Sequence, residues 1–408
     1  MNILIVNGDC LQVNSSANLC HLAYIRGLVD SGHEVDVLSA DGRSYKLDPA
    51  MQLPEGVKSY TYYGVSLYEK LSLRKSGASE VSPAPAPVAT APQEVGKPGL
   101  LSTAVNKAKC LFLSCYGPHG IYATFVRKAK KFRSDKHYDY VISLATPPSS
   151  HLLTHKLLKS GRIHAAQWIQ IWEDPWCVDV YGFNGKKSIF KEEKRLLSYA
   201  QKVCYVSPLT LRNQQKLFPD SAHKMYWQPL PYYYKDEAPV AVPQKPTVYG
   251  YFGDYAPASR NLEPFYTAAR ETGITLNICG RPHDLFTSTV NITIYPRLPL
   301  DKLKPLEDKT NVLVFLCNRA GGQIPGKIYQ YSATEKTVLF IMDGTEDEQK
   351  VLYDFFAPFK RFVFCENTVE SISDAIRRIE KGDLGDVENR PLEAFNPIET
   401  IRKILNPS

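Results

Sequence analysis

Three features are missing from this 408-residue sequence, and each absence excludes a class of protein. The nine cysteines are scattered and form no Cys-x-x-Cys pair, which argues against a disulfide framework or a cysteine-rich metal site. No stretch reaches the roughly 18 apolar residues that a membrane-spanning helix needs. The opening "MNILIVNGD" has no basic region and no long apolar run, so it is typical of a first β-strand rather than a secretion signal. Together these absences favour reduced, mostly buried thiols and a cytoplasmic protein.

The excess of positive over negative charge is also small. The formal net charge is +7, and the isoelectric point is near 8.7. An excess this mild does not indicate nucleic acid, and because no RNA- or DNA-binding module accompanies it we expect no nucleic-acid partner. It does suit an anionic small molecule or an anionic lipid surface.

A dense cluster of cations runs from Arg127 to Lys136, "RKAKKFRSDK", with six cations and one acid. Tyr122, Phe125 and Val126 precede it on the same predicted helix. An apolar edge beside a cationic face is typical of a helix that lies on an anionic membrane surface. A solvated helix face is the alternative interpretation.

The start of the sequence predicts a β-loop-α-β unit. The run from Ile3 to Val6 is short and continuously apolar, as in a strand buried on both faces. Apolar residues then recur at helical spacing as far as Val29, and Gly32 stands where a C-terminal glycine cap belongs. The stretch "HEVDVLSA" is the next strand, which completes a parallel crossover unit.

This pattern occurs twice, which predicts an α/β protein with two Rossmann-like, doubly wound domains. Residues 1–235 form the first domain, with a low-complexity insertion rich in proline and alanine at 76–99. Residues 236–390 repeat the pattern after a linker rich in proline and tyrosine. Residues 391–408 hold a short amphipathic helix, for which the first domain is a candidate docking surface. In this architecture we expect ligands in a central cleft between the carboxyl ends of the strands.

The stretch "GGQIPGK", residues 321–327, lies between two apolar runs and contains most of a phosphate-binding loop. Gly321, four residues and then Gly326-Lys327 nearly match the P-loop pattern, but Ile328 replaces the Ser or Thr that binds Mg²⁺. The run "VLFIMD", ending at Asp343, is a weak Walker-B-like strand. A P-loop-like NTPase therefore stays open as an alternative.

The same loop could bind a phosphate without a metal. Pro325 favours a helix start here, and the free N–H groups of a helix N-terminus attract anions. Lys327 and Gln330 share a face of that helix, so the lysine could meet a diphosphate while the glutamine binds a ribose hydroxyl. A solvated lysine and glutamine on a surface helix explain these residues equally well.

Several segments resemble family-4 glycosyltransferases of the GT-B fold, in the family's order. These segments are "GLVDSGHEVDVLS", "WIQIWEDPW", "GYFGDYAPASRNLEPFYTAAR", "LNICGRP" and "IPGKIYQYSATEKTVLF". The resemblance covers most of the chain outside residues 45–135. It implies that a sugar is transferred, with retention, from a UDP- or GDP-linked donor bound by the second domain, with no metal or other cofactor. It also implies a glycan or lipid-linked saccharide acceptor bound by the first domain, in cell-surface polysaccharide biosynthesis at the inner face of the plasma membrane.

The resemblance assigns candidate residues in the second domain. The donor-binding candidates are Gly253, Arg260, Arg319, Gly326, Lys327 and Gln330. Arg260 and Lys327 would act as catalytic residues that neutralise the departing diphosphate. Gly322 and Gln330 occupy the places of the family's two glutamates, although Gln330 can still hydrogen-bond a ribose. Asp254 occupies the place of a family arginine.

Candidates in the first domain lie in the first loop and after two predicted strands. The donor or acceptor loop, by position in the family, contains Asn14, Ser15 and Ser16. Either serine is also a plausible N-cap of the following helix. His151 follows a strand end on the predicted cleft side, where an imidazole could approach the reacting sugar. Asp174, beside Glu173, takes the place of a family aspartate and is a candidate acceptor contact or general base.

Three other functions stay open at this point. The missing family glutamates fit a catalytically degenerate scaffold that binds a partner. A sugar-nucleotide epimerase of the same architecture would turn over the donor without an acceptor. The NTPase would hydrolyse ATP or GTP with Mg²⁺.

Overall fold

The structure is a computed structural model that describes residues 1–76, 117–178, 187–233, 247–282 and 284–407, with side chains for all of these except 72–76. Apart from Ser76, the low-complexity insertion predicted at 76–99 lies outside the described residues. The chain divides into two compact units. Unit 1 consists of Met1–Tyr233 and Pro397–Ser408, and unit 2 of Tyr234–Asn396. Each unit is built on a parallel sheet, which confirms the predicted α/β class with two Rossmann-like domains.

The sheet of unit 1 has seven strands in the described residues. They are β1 Asn2–Asn7, β2 Glu34–Ala40, β3 Lys58–Tyr62, β4 His137–Ala145, β5 His164–Trp172, β6 Lys202–Tyr205 and β7 Met225–Trp227. Their order across the sheet is β3-β2-β1-β4-β5-β6-β7. The central strands are buried on both faces, which explains their continuous apolar runs. The edge strand β3, "KSYTY", was not predicted, because it is largely exposed and has no apolar run.

Helices connect these parallel strands. They are α1 Ser16–Asp30, α2 Leu67–Ser76, α3 Ala123–Ala129, α4 Ser149–Lys159, α5 Lys187–Tyr199 and α6 Pro208–Leu217. The largest fully buried side chains of this core are those of Trp172, Tyr138 and Tyr205. Helix α1 begins at a side-chain cap, since Ser15 Oγ accepts a hydrogen bond from the backbone N–H of Asn18 at 3.1 Å.

Unit 2 repeats the architecture with six described strands. They are β8 Val248–Phe252, β9 Thr275–Cys279, β10 Ile292–Tyr295, β11 Val312–Leu316, β12 Thr337–Met342 and β13 Phe362–Glu366. Their order is β10-β9-β8-β11-β12-β13. The helices are α7 Glu263–Thr272, α8 Leu300–Asp308, α9 Lys327–Tyr331, α10 Glu346–Phe356 and α11 Val369–Lys381.

A final helix, α12 Pro397–Leu405, belongs to unit 1 and packs against α1. Two side chains from β6 and β7 hold its C-terminal end. Tyr226 Oη donates to the carbonyl of Ile404 at 2.7 Å, and Lys202 Nζ donates to the carbonyl of Leu405 at 2.7 Å. These bonds satisfy carbonyl groups that the end of a helix leaves without partners.

Candidate active site

The strand order of unit 2 marks one place where ligands bind in doubly wound sheets. Strands β8 and β11 are neighbours, yet β9 and β10 extend the sheet on one side of them while β12 and β13 extend it on the other. Ligands of such sheets bind outside the carboxyl ends of the strands at this switch point. The loops that leave β8 and β11 contain predicted candidates, including Arg260 and Arg319.

Direct hydrogen bonds bring these two loops together. Arg260 Nε donates to Asn318 Oδ1 at 2.7 Å, and Arg260 Nη1 donates to the carbonyl of Asp254 at 3.2 Å. Arg319 donates from its backbone N–H to the carbonyl of Ser259 at 2.8 Å, and from Nη1 to that of Pro257 at 3.0 Å. Two guanidinium groups, from the loops that follow β8 and β11, are therefore anchored at the carboxyl end of the sheet.

The carboxyl ends of β8 and β9 approach so closely that side chains are excluded. A β-carbon on Gly280 would lie 1.9 Å from the carbonyl oxygen of Gly253, so position 280 requires glycine. Asp254 occupies the place of a family arginine. Its Oδ1 accepts a hydrogen bond from the backbone N–H of Arg281 at 3.1 Å, and its Oδ2 lies 3.6 Å from Arg297 Nη1. Arg297, which the sequence did not single out, thus brings a cation to this edge.

Lys327 is paired in the structure. Its Nζ lies 2.9 Å from Glu307 Oε1 of α8, with 39% of the lysine side chain exposed and 15% of the glutamate. Helix α9 begins at Lys327 and has only five residues, so it is shorter than a helix starting at Pro325. Five residues give a weak macrodipole, and any phosphate affinity must come mainly from the lysine charge.

The glycine pair before α9 adopts a backbone that other residues avoid. Gly321 has φ +98° and Gly322 has φ +72°, so the place of the first family glutamate is left-handed. Gln330, in the second place, is partly exposed. Ile328 is fully buried, and Asp343 accepts hydrogen bonds from Asn367 Nδ2 at 2.8 Å and from the Gly344 N–H at 2.7 Å. Ile328 has no hydroxyl group for Mg²⁺ and is buried, which weighs against the NTPase.

In unit 1 the switch point lies between β1 and β4. The Gly8 N–H donates to Ser150 Oγ at 2.8 Å, and a β-carbon on Gly8 would lie 2.5 Å from Ser149 Oγ. The next residue, Asp9, is partly exposed. Burial of its carboxyl group outweighs a hydrogen bond from the Cys10 N–H and raises the pKa of Asp9 to about 6.

A histidine that the sequence analysis did not single out joins β1 to β5. His21 Nδ1 lies 3.2 Å from Asn7 Nδ2, and His21 Nε2 lies 3.3 Å from Glu173 Oε1. His21 is fully buried and Glu173 is 8% exposed, so this pair stabilises the loops rather than facing solvent. Its only sequence signal is a histidine on the apolar face of α1.

Other first-domain candidates have local partners. Ser15 is the N-cap of α1, one of the two serines for which the sequence suggested this role, and Ser16 is exposed. Asn14 Nδ2 donates to Asp48 Oδ2 at 2.8 Å. Asp174 is partly exposed at the end of β5, where Thr146 Oγ1 donates to its Oδ2 at 3.5 Å. The role of Asp174 as an acceptor contact stays a prediction.

His151 lies in the core of unit 1. Its side chain has no exposed surface, its Nδ1 is 2.7 Å from Ser143 Oγ, and its ring packs on Trp172 at 4.3 Å. Burial holds the pKa of His151 well below its usual value, so the ring is neutral. The sequence placed this histidine on the cleft side, and the structure places it inside unit 1.

The cationic cluster at residues 127–136 has no lipid-facing apolar edge. Phe125 and Val126 are 1% and 3% exposed and pack in the core of unit 1, which corrects the expected amphipathic surface helix. The cations Lys130, Lys131 and Arg133 are exposed. Within the described ranges, every helix is too short or too polar to cross a bilayer.

Two doubly wound parallel sheets, each with polar loops at its switch point, are the architecture of the GT-B fold. Among solved structures, the chain is similar to a sucrose-phosphate synthase from Thermosynechococcus elongatus, with a TM-score of 0.59 and 14% identity, over 99% of this chain and 94% of that one. It is similar to TarM with a TM-score of 0.57 and 13% identity, over 99% and 97%. At such identities the likeness shows the fold alone. No protein-family model and no curated protein matches the sequence.

Proposed function

We propose that this protein is a glycosyltransferase that moves a sugar from a nucleoside-diphosphate donor to a glycan or lipid-linked saccharide, without a metal and with retention at the anomeric carbon. The proposal rests on the meeting of Arg260, Asn318 and Arg319 at the switch point of unit 2. Cations anchored at such an edge stabilise the charge that develops on a departing diphosphate. A bidentate or charge-assisted hydrogen bond to phosphate is also stronger than a neutral one.

Lys327 has a defined part in this proposal. Its ammonium group must exchange the Glu307 carboxylate for a phosphate when the donor binds. Gln330, one turn further on and partly exposed, would then place the ribose. With these cations present, a metal ion is not needed to neutralise the leaving group.

Unit 1 would bind the acceptor, with Asp174 as the contact residue. His21 is fully buried, so the imidazole at this edge does not reach an acceptor hydroxyl as a base. In a retaining transfer the acceptor approaches from the side that the diphosphate leaves, and a diphosphate oxygen can take the hydroxyl proton there. Cell-surface polysaccharide biosynthesis is the process that we propose for this reaction, with the exposed cations Lys130, Lys131 and Arg133 on an anionic membrane surface.

A thermal-shift panel tests the donor half. Melting temperatures are measured with UDP, GDP, ADP, CMP and ATP, each with and without Mg²⁺, on the wild type, Arg260→Ala, Lys327→Ala and Lys302→Ala. A ligand at 100 times its Kd stabilises the folded state by about 2.7 kcal/mol. We expect one diphosphate to stabilise the wild type and the exposed-lysine control Lys302→Ala without Mg²⁺, and the shift to shrink in the other two variants.

The other outcomes identify the alternatives. Stabilisation by ATP only with Mg²⁺ would indicate an NTPase, and no shift from any nucleotide would indicate a degenerate scaffold. Once a donor is known, NMR of the product's anomeric proton decides between retention and inversion.

A further inference from the structure

Two neighbouring glutamates of α5, Glu192 and Glu193, lie near the loop that follows β5, and the shifts of their pKa values are opposite in direction. Glu192 accepts a hydrogen bond from Arg195 Nε at 2.7 Å and lies 2.9 Å from His119 Nε2. Partial burial acts to raise its pKa, but the bonds from His119 and Arg195 outweigh burial and lower the pKa of Glu192 to about 2. Glu192 is therefore an ordinary paired carboxylate.

Glu193 is fully buried and bonds to backbone instead of a cation. Its Oε2 accepts from the Cys177 N–H at 2.7 Å, and its Oε1 accepts from the Trp176 N–H at 3.4 Å. No ion pair of Glu193 is found among the described residues. Burial raises the pKa of Glu193 to about 7, above its ordinary 4.5, although the two backbone bonds oppose the shift.

In the part of the chain that the structure describes, the titratable groups that face Glu193 from other elements are neutral near pH 7. They are the Cys177 thiol in the loop and the Tyr205 phenol of β6, and burial raises the pKa of both. A buried carboxylate without a cation is costly, so a leucine here would fit the helix better than a glutamate unless the loop needs an acceptor. The carboxylate of Glu193 is explained by the two backbone N–H groups that it binds.

Both glutamates converge on Trp176. Glu193 binds its backbone, while the His119 ring held by Glu192 lies 4.9 Å from the indole ring. Within residues 173–177, Asp174 alone is not buried. The loop is thus fixed at its far end by α5 and at its near end by the bond from the Glu173 N–H to the Ala145 carbonyl at 3.0 Å.

We propose that Glu193 is a positioning residue for the acceptor half of the site, because its carboxylate fixes the backbone of Trp176 and Cys177 and so holds Asp174 at the carboxyl edge of the sheet. The part played by Asp174 rests on the proposed function. The hydrogen bonding of Glu193 to the loop, here called the grip on the loop, does not rest on the proposed function. The grip and the part played by Asp174 are tested separately. Ionised Glu193 accepts both N–H bonds, whereas the protonated acid has a weaker acceptor for one of them.

The grip on the loop is tested without an assay of activity. Tryptophan fluorescence is followed from pH 5.5 to 8.5 in the wild type, Glu193→Gln, Trp176→Phe and His119→Gln. We expect a transition with a midpoint near pH 7 in the wild type and in His119→Gln, and its loss in Glu193→Gln and Trp176→Phe. A transition that persists in Glu193→Gln, or disappears in His119→Gln, would show that Glu193 does not cause it and would overturn the proposal.

Hydrogen exchange on the wild type covers the case in which Glu193→Gln does not fold. After correction for the intrinsic pH dependence of exchange, the peptide that contains residues 173–178 should gain protection between pH 6 and pH 8. Equal protection at both pH values would show that the charge of Glu193 does not hold the loop.

The effect on catalysis is tested with donor and acceptor varied separately. Misplacing a reacting group by about 1 Å can cost on the order of 100-fold in rate. We expect Glu193→Gln to lower kcat/KM for the acceptor at least tenfold at pH 8, with an unchanged KM for the donor, while Lys191→Gln on the exposed face of α5 behaves as wild type. Equal kcat/KM in Glu193→Gln and wild type would overturn the positioning role. No transfer by any of the proteins would instead count against the proposed function, with the fluorescence result still deciding the grip on the loop.

Discussion

Gly27 of α1 lies directly beneath the first residue of α12, Pro397. A β-carbon at position 27 would lie 2.4 Å from the carbonyl oxygen of Pro397 and 2.6 Å from its carbonyl carbon. Both are backbone atoms, so they cannot turn aside as a side chain can. The absence of a side chain at Gly27 therefore sets how closely α12 approaches α1.

Gly27→Ala should destabilise unit 1. In an exposed helix the change would stabilise by about 1 kcal/mol through helix propensity. Here the new methyl group must push α12 away from α1, and overpacking of this kind costs about 1–3 kcal/mol. We expect a lower melting temperature by calorimetry, while Asp30→Ala at the exposed end of α1 leaves it unchanged. A higher melting temperature for Gly27→Ala would show that α12 is not held at this distance.

Glu307→Gln should strengthen binding of the donor diphosphate. The carboxylate competes with phosphate for Lys327 Nζ, 2.9 Å away, and glutamine competes less well because it has no charge. Partial exposure screens this pair, so we expect an increase in affinity of a few-fold by calorimetric titration. Asp301→Asn, an exposed acid on the same helix, is the matched control. Weaker binding in Glu307→Gln would mean that the glutamate orients the lysine instead of competing for it.

Arg361→Met should destabilise unit 2. The Arg361 side chain is fully buried, and its Nη2 donates to the carbonyls of Thr334 and Lys336 at 2.7 and 2.6 Å. Burial lowers the pKa of Arg361 to about 10, so it stays charged at neutral pH. Leaving a buried carbonyl without a donor costs about 1–3 kcal/mol.

The urea midpoint measures this loss. We expect the total to be about 3 kcal/mol for Arg361→Met, because two carbonyls lose their donor. The exposed Arg377→Met, which removes the same charge from α11, should change the free energy of unfolding by less than about 0.5 kcal/mol. Equal midpoints for the two variants would show that water replaces the guanidinium group.

Neutralising Lys130, Lys131 and Arg133 with glutamine should weaken binding to anionic vesicles. Each cation near an anionic lipid surface contributes about 1 kcal/mol, so three should change the partition coefficient roughly 100-fold at low salt. The control neutralises three exposed lysines of unit 2, Lys302, Lys309 and Lys350, which gives the same net charge.

Flotation with phosphatidylglycerol and phosphatidylcholine vesicles at low and high salt makes this comparison. Because Phe125 and Val126 are buried, we expect binding to be electrostatic and to disappear at high salt. Binding to neutral vesicles that resists salt would contradict this view of the surface.

The central strands of both sheets were predictable because they are buried on both faces. Continuous apolar runs such as Ile3–Val6 and Val312–Leu316 have no polar alternation, and the structure confirms them as β1 and β11. The meeting of Arg260 with Asn318 was not predictable, since it depends on side-chain geometry between loops that are 58 residues apart.

The wrong predictions concern residue types that occur both in the core and at a surface or site. An apolar residue on a short helix can face lipid or the core, and Phe125 faces the core. A histidine after a strand can face a ligand or pack beneath the sheet, and His151 packs. Glu193 did leave a signal, since Ile189, Glu193 and Leu196 share one helical stripe and a lone acid on an apolar stripe indicates a buried acceptor.

The return of α12 to unit 1 has a consequence for biosynthesis. Unit 2 is an insertion between Tyr233 and Pro397, so the ribosome makes all of it before the helix that completes unit 1. Domains tend to fold as they emerge, with the N-terminal one first. In this protein the unit that is begun first is therefore the last to be completed. Until α12 is made, the face of α1 around Gly27 is uncovered, and a nascent-chain chaperone can bind this face without competing with α12.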